Sequence, residues 1–83
     1  QQNGLLLYPN PASSTLTMAL MQGVSGEATL NIFNAQGQLV MNRQYDAFSQ
    51  NTTVDVSNLA NGVYVATLQT ANGVYSRKVM IQR

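Results

Sequence analysis

The chain has 83 residues, a formal charge of +1, and neither cysteine nor histidine. That length makes one small domain, since a chain of ~60 residues buries only about 60% of its unfolded surface. Without cysteine no disulfide or thiolate metal site can staple it, so hydrophobic packing has to carry the fold. The charges, Arg43, Arg77, Lys78 and Arg83 against Glu27, Asp46 and Asp55, are too few and too scattered to neutralise a phosphate backbone, which excludes nucleic acid as the expected partner.

The domain is expected to span residues 1–83, with 1–4 as the end of a linker. Short β-prone runs separated by turn signals follow one another, with no sustained helical periodicity. The expected fold is all-β, an Ig-like antiparallel β-sandwich of about seven strands. The first run, Leu5 to Tyr8, is ended by Pro9 and Pro11, which lack backbone N–H groups and hold the connection extended, so this run belongs on an edge or at a crossing between sheets. Thr15 to Met21 follows, with Leu16, Met18 and Leu20 sharing the inward face. Glu27 to Asn34 puts Ala28, Leu30 and Ile32 on one side, and Asn34-Ala35-Gln36-Gly37 reads as a tight turn with Gly37 in the left-handed position.

Gln38 to Tyr45 completes that hairpin with an ambiguous pattern. Leu39 and Met41 alternate in phase with Arg43 and Tyr45, and Val40 with Asn42 and Gln44, so its register stays open. After the polar connection Asp46 to Asn51, Thr52 to Val56 forms a short strand with Val54 and Val56 inward. The run Ser57-Asn58-Leu59-Ala60-Asn61-Gly62-Val63-Tyr64-Val65 then carries the most informative pattern in the chain. A Leu, a Gly able to take positive φ, and a Tyr leading an alternating strand describe a corner at which one sheet hands the chain to the other. The Tyr64 hydroxyl is expected to bond backbone near Leu59 or Ala60. Tyr64, Ala66 and Leu68 continue inward, Asn72-Gly73 turns the chain, and Val74 to Gln82 is the last strand, with Val79 and Ile81 inward and Lys78 and Met80 outward.

Little here supports catalysis. A hydrolytic triad needs a base, and histidine and cysteine are both missing, as are the usual zinc ligands. The three acids lie far apart in sequence, which argues against a carboxylate pair, and Asp46 or Asp55 read better as solvated loop acids than as calcium ligands. Tyr8, Phe33, Tyr45, Phe48, Tyr64 and Tyr75 form no single exposed row of the kind a sugar-binding face needs. Asn51-Thr52-Thr53 matches a glycosylation acceptor but reads as a loop-to-strand signal in a chain this rich in Asn and Thr. The expectation is a non-enzyme with no cofactor and no metal. No apolar run approaches the ~20 residues that span a bilayer. No basic segment leads into an apolar one as in a signal peptide, so an export signal would lie upstream of Gln1.

The motifs in order resemble the type A C-terminal sorting domain of proteins exported by the type IX secretion system of Bacteroidetes. Tyr8-Pro9-Asn10-Pro11-Ala12 with Leu16 looks like the family's opening motif. Ile32-Phe33-Asn34 with Gly37 and Val40 is similar to its central hairpin, where an acid is common at the position of Asn34. Val54-Asp55-Val56-Ser57 with Leu59, Gly62, Tyr64 and Val65 looks like its most recognisable block, and Lys78-Val79-Met80-Ile81 like its basic-apolar ending. The resemblance implies a domain that follows a cargo, passes the periplasm folded and is recognised by the outer-membrane translocon. In many relatives a sortase then attaches the cargo to the cell surface, so the implied partners are the translocon, the sortase and attachment machinery, and an upstream cargo domain. An Ig-like structural or adhesive module of a larger surface protein is the alternative.

The recognised surface is expected on the last strand, Arg77, Lys78, Val79, Met80 and Ile81, whose adjacent basic pair should be dispensable for packing. Tyr8, Pro9, Asn10, Pro11, Gly37, Leu59, Gly62 and Tyr64 are expected to be structural. In isolation, the lightly charged edges at Leu5 to Tyr8 and Val74 to Gln82 suggest an edge-paired or strand-exchanged dimer.

Overall fold

The computed structural model describes residues 4–9, 12–20, 26–46, 51–71 and 73–82, and among them every regular element is a strand. The strands are β1 (Leu5–Tyr8), β2 (Thr15–Leu20), β3 (Ala28–Phe33), β4 (Leu39–Tyr45), β5 (Asn51–Asp55), β6 (Gly62–Thr70) and β7 (Gly73–Ile81). They pair as a three-stranded sheet, β1-β2-β5, and a four-stranded sheet, β4-β3-β6-β7. Every strand pair is antiparallel, and the chain changes sheets between β2 and β3, β4 and β5, and β5 and β6. This is the expected Ig-like sandwich. Met21, Phe48, Asn72 and Arg83, with Asn10 and Pro11 of the opening motif and residues 1–3 of the linker end, lie outside the described residues.

Period-2 alternation explains the core. Leu16 and Met18 from β2, Ala28, Leu30 and Ile32 from β3, Ala66 and Leu68 from β6, and Val79 and Ile81 from β7 are buried between the sheets, as their alternation requires. Val54 and Val56 add to it from β5 and the residue after it, and among the described residues no polar or charged side chain is buried. Tyr75 is buried too, paired across from Leu68, although Val74 beside it and Arg77 in phase with it hid it in the sequence pattern.

The turns are made as the residue types dictate. Gly37 has φ 84°, and its N–H donates to the Asn34 carbonyl at 2.9 Å, while the Asn34 side-chain oxygen accepts from Gln36 N–H at 3.0 Å and Gln38 N–H at 2.9 Å. Downstream, β4 resolves its ambiguity through a bulge. Ile32 pairs with Met41 but Phe33 pairs with Leu39, which leaves Val40 as the extra residue. Met41 therefore enters the core, whereas Leu39 changes face and is 54% exposed.

At the corner between β5 and β6 the Tyr64 hydroxyl donates to the Ala60 carbonyl at 2.6 Å, and Leu59 is buried above it, its N–H donating to Val56 O at 3.0 Å. The Asp55 carboxylate accepts the Ser57 N–H at 2.9 Å and so holds the start of the same turn. Gly62 has the expected positive φ, 157°, but at the extended margin of the glycine region, and an added Cβ would meet the Tyr64 ring at 3.9 Å, an ordinary contact. The steric demand for glycine is therefore sharper at Gly37 than at Gly62.

Tyr64→Phe is expected to cost about 1–2 kcal/mol by removing this one hydrogen bond, and Gly37→Val about the same by forcing a β-branched residue into left-handed backbone. Urea denaturation checks both. A midpoint unchanged by Tyr64→Phe would refute the corner's contribution.

Candidate recognition surface

The edges where the two sheets meet are stitched by backbone. Ala12, fully buried, forms a parallel bridge to Ile81, its N–H donating to Met80 O at 2.8 Å and its carbonyl accepting the Gln82 N–H at 2.8 Å. Two residues on, the Ser14 carbonyl accepts the Val56 N–H at 2.8 Å, so this short stretch joins the end of β7 to the end of β5. Ala12 thus enters the core with both its backbone polar groups paired to β7, which gives the alanine of the opening motif a structural role. Tyr8 at the end of β1 is exposed, and the Tyr8–Pro9 peptide bond is cis.

The five residues expected to be recognised divide three ways. Val79 and Ile81 are buried in the core, and Met80 and Lys78 project outward from the four-stranded sheet. Arg77 is exposed but is not a free cation: its Nε donates to the Leu5 carbonyl at 2.7 Å, tying β7 of one sheet to β1 of the other. The basic pair is thus split. Arg77 closes the edge of the sandwich, contrary to the expectation that packing could spare it, and Lys78 alone remains on the outer face.

The register lays out that outer face in rows. Toward one end lie Gln44, Thr29, Gln69 and Val74, then Asn42, Asn31, Thr67 and Ser76, where Asn42 Nδ2 donates to Asn31 Oδ1 at 2.6 Å. Toward the other end Leu39, Phe33, Val65 and Lys78 form one row, and Val63 sits opposite Met80. Leu39, Val40, Val63, Val65 and Met80 are exposed there, so that half is largely apolar, whereas the other half is amide and hydroxyl apart from the exposed Val74 on β7. A groove of about 400 Å³ lined by Asn61, Gly62, Val63, Met80, Ile81 and Gln82 borders the apolar half. At the opposite end of the sheet a depression of about 450 Å³ runs past Glu27, Thr29, Gln69 and Thr70, and a smaller one beside it places Glu27 with Tyr45 and Asp46.

Chemically the surface can bind. Among the described residues no cluster of three or more His, Cys, Asp or Glu side chains gathers where a cation could be held. Tyr45, partly buried against the core, has its phenol pKa raised by that burial and partly lowered again by the neighbouring Arg43 guanidinium. Tyr64 and Tyr75 are core residues, so among the described residues they cannot join Tyr8 in a stacking platform.

The family model for the secretion system C-terminal sorting domain matches residues 6–82, from the second residue of β1 to just past β7. The chain belongs to the type IX secretion C-terminal sorting domain family. No curated protein matches it significantly. As a sorting domain it acts as a secretion signal, working with the type IX machinery and a cargo protein toward export across the outer membrane to the cell surface or beyond. The family is not a catalytic one and fits an origin in Bacteroidetes.

The split of the basic pair generates a comparison within the sorting domain. Arg77→Ser should lower stability by about 1 kcal/mol, a charged hydrogen bond discounted for its solvent exposure, and should speed amide exchange in β1. Lys78→Ser should change stability by less than about 0.5 kcal/mol. Hydrogen exchange and denaturation midpoints together decide it, and identical behaviour of the two variants would remove the edge-closing role of Arg77.

Proposed function

We propose that this domain follows a cargo protein, crosses the periplasm folded, and is read by the outer-membrane translocon, a step that in many relatives is followed by sortase removal of the domain and joining of the cargo to a lipopolysaccharide anchor. The observation that carries this reading is the family match over residues 6–82. The chemistry is compatible with it, because a signal must present a stable surface and needs neither a nucleophile nor a cofactor. On this reading the domain occupies residues 1–83 with 1–4 as linker. The last strand then supplies the recognised surface in a divided manner, Lys78 and Met80 making contact while Arg77, Val79 and Ile81 hold the strand in place.

A reporter with no signal of its own, exported to the periplasm and fused ahead of residues 1–83, should reach the surface or the medium of a host with type IX secretion. It should stay in the periplasm of the same host without the translocon. Retention in the competent host would overturn the reading in favour of an Ig-like structural or adhesive module.

In isolation, self-association by strand addition or exchange is proposed for the outer edges of β4 and β5, which have no strand neighbour among the described residues. The edges of β1 and β7 are partly occupied by the Arg77 bond and by Ala12. Light scattering should show a dimer that grows with concentration, and a monomer at every concentration would exclude it.

A further inference from the structure

Resting on the sorting reading, we propose that the apolar end of the outer face is the docking surface, and that its occupant is an apolar segment carrying a carboxylate, presented by a protein of the secretion machinery. The surface comprises Phe33, Leu39, Val63, Val65 and Met80 around Lys78. It therefore spans all four strands of the larger sheet and extends well beyond the last strand.

The first support is the bulge at Val40. A regular ladder would keep Leu39 in phase with Met41 and turn it inward, where it would contribute apolar burial. The extra residue turns it to solvent instead, beside Phe33 and in the same row as Val65. Five exposed apolar side chains collect at this end against Val74 alone at the other, and such a cluster marks an interaction site more often than scattered exposed residues do.

Charge selects the occupant. Among the described residues of this face Lys78 is the one charged side chain, and the acids lie elsewhere: Asp55 accepts the Ser57 N–H in the corner and Glu27 and Asp46 flank the far end of the β3–β4 pair. A second copy laid face to face would bring no carboxylate to Lys78 and would desolvate it against aliphatic side chains, which is unfavourable. A segment with an acid among apolar residues pairs the ammonium and covers the valines together.

Shape points to a protein rather than a lipid surface. The groove beside Val63 and Met80, open and of about 400 Å³, is contiguous with the patch and offers a shallow seat for a protruding side chain. A single lysine adds too little attraction to an anionic membrane to hold the domain there.

The test uses the reporter fusion with Val63→Thr, Val65→Thr and Leu39→Ser combined, since threonine keeps strand propensity while removing apolar surface. A control carries Gln69→Thr and Ser76→Thr on the polar half. With thermal midpoints matched to the parent, the apolar-end variant should lose secretion by roughly tenfold or more, the equivalent of one factor of ten in affinity, and the control should not. Should the triple variant fail to fold, Lys78→Glu is decisive alone. It should lower secretion comparably, with Lys78→Arg retaining it. Secretion at the parental level by a folded triple variant or by Lys78→Glu would overturn the proposal while leaving the sorting reading intact. Failure of the unmutated fusion to be secreted would instead overturn the sorting reading. Sedimentation of the parent with vesicles of anionic phospholipid should show no binding. Vesicle binding, or a dimer in light scattering, that the triple variant abolishes would replace the protein partner with a membrane or a second copy.

Discussion

The hydrogen bond from the Tyr64 hydroxyl to the Ala60 carbonyl fixes the one crossing on which both faces of the larger sheet depend. It pins the first inward residue of β6 two positions after Gly62, and because side chains alternate, that choice sends Ala66 and Leu68 into the core and Val63, Val65 and Thr67 to solvent. A slip of one residue would exchange the two sets completely. Since β6 pairs with both β3 and β7, the same choice propagates to Leu30 and Ile32 on one side and Val79 and Ile81 on the other. Core and outer surface are thus consequences of one corner.

A sandwich of this size has a second problem, which is the line where its two sheets part. Strand edges there present unpaired carbonyls and N–H groups, and a small domain without disulfides has little stability with which to tolerate them. The chain meets this with backbone and one long side chain. Ala12 bridges the end of β7, Ser14 receives Val56, and Arg77 reaches across to Leu5 O, so the open side between β1 and β7 is closed by contacts from both. The other edges, β4 and β5, are left with weaker devices, a bulge in one and a short polar strand in the other.

How much of this was legible beforehand follows from what each feature depends on. Alternation is local, so the strands, the inward sets of β2, β3, β6 and β7 and the corner at Tyr64 could be read from residue types and spacing alone. The bulge could not: Leu39-Val40-Met41 is apolar at every position, so no phase stands out, and the choice is made by pairing with Phe33 and Ile32 in a neighbouring strand. Arg77 was missed for a similar reason. Its partner lies 72 positions away, and an arginine beside a lysine on a chain-terminal strand reads as a charged patch until the sheets are in place. The burial of Tyr75, whose ring lies against Gly4, likewise depends on where β1 comes to rest.

The molecule's separation of duties follows from the same geometry. Side chains that hold the fold face inward or sit at the closing edge, whereas the outer face of the larger sheet makes few demands on stability. Surface positions of that kind tolerate exchange within about 0.5 kcal/mol when they are not caps, turns or network members. An address label benefits from this arrangement, because its surface can be adjusted to a receptor without disturbing the core that presents it. Arg77 and Lys78 illustrate the boundary: they are neighbours in sequence and alike in charge, yet alternation assigns one to holding the sandwich shut and the other to the face that a partner can meet.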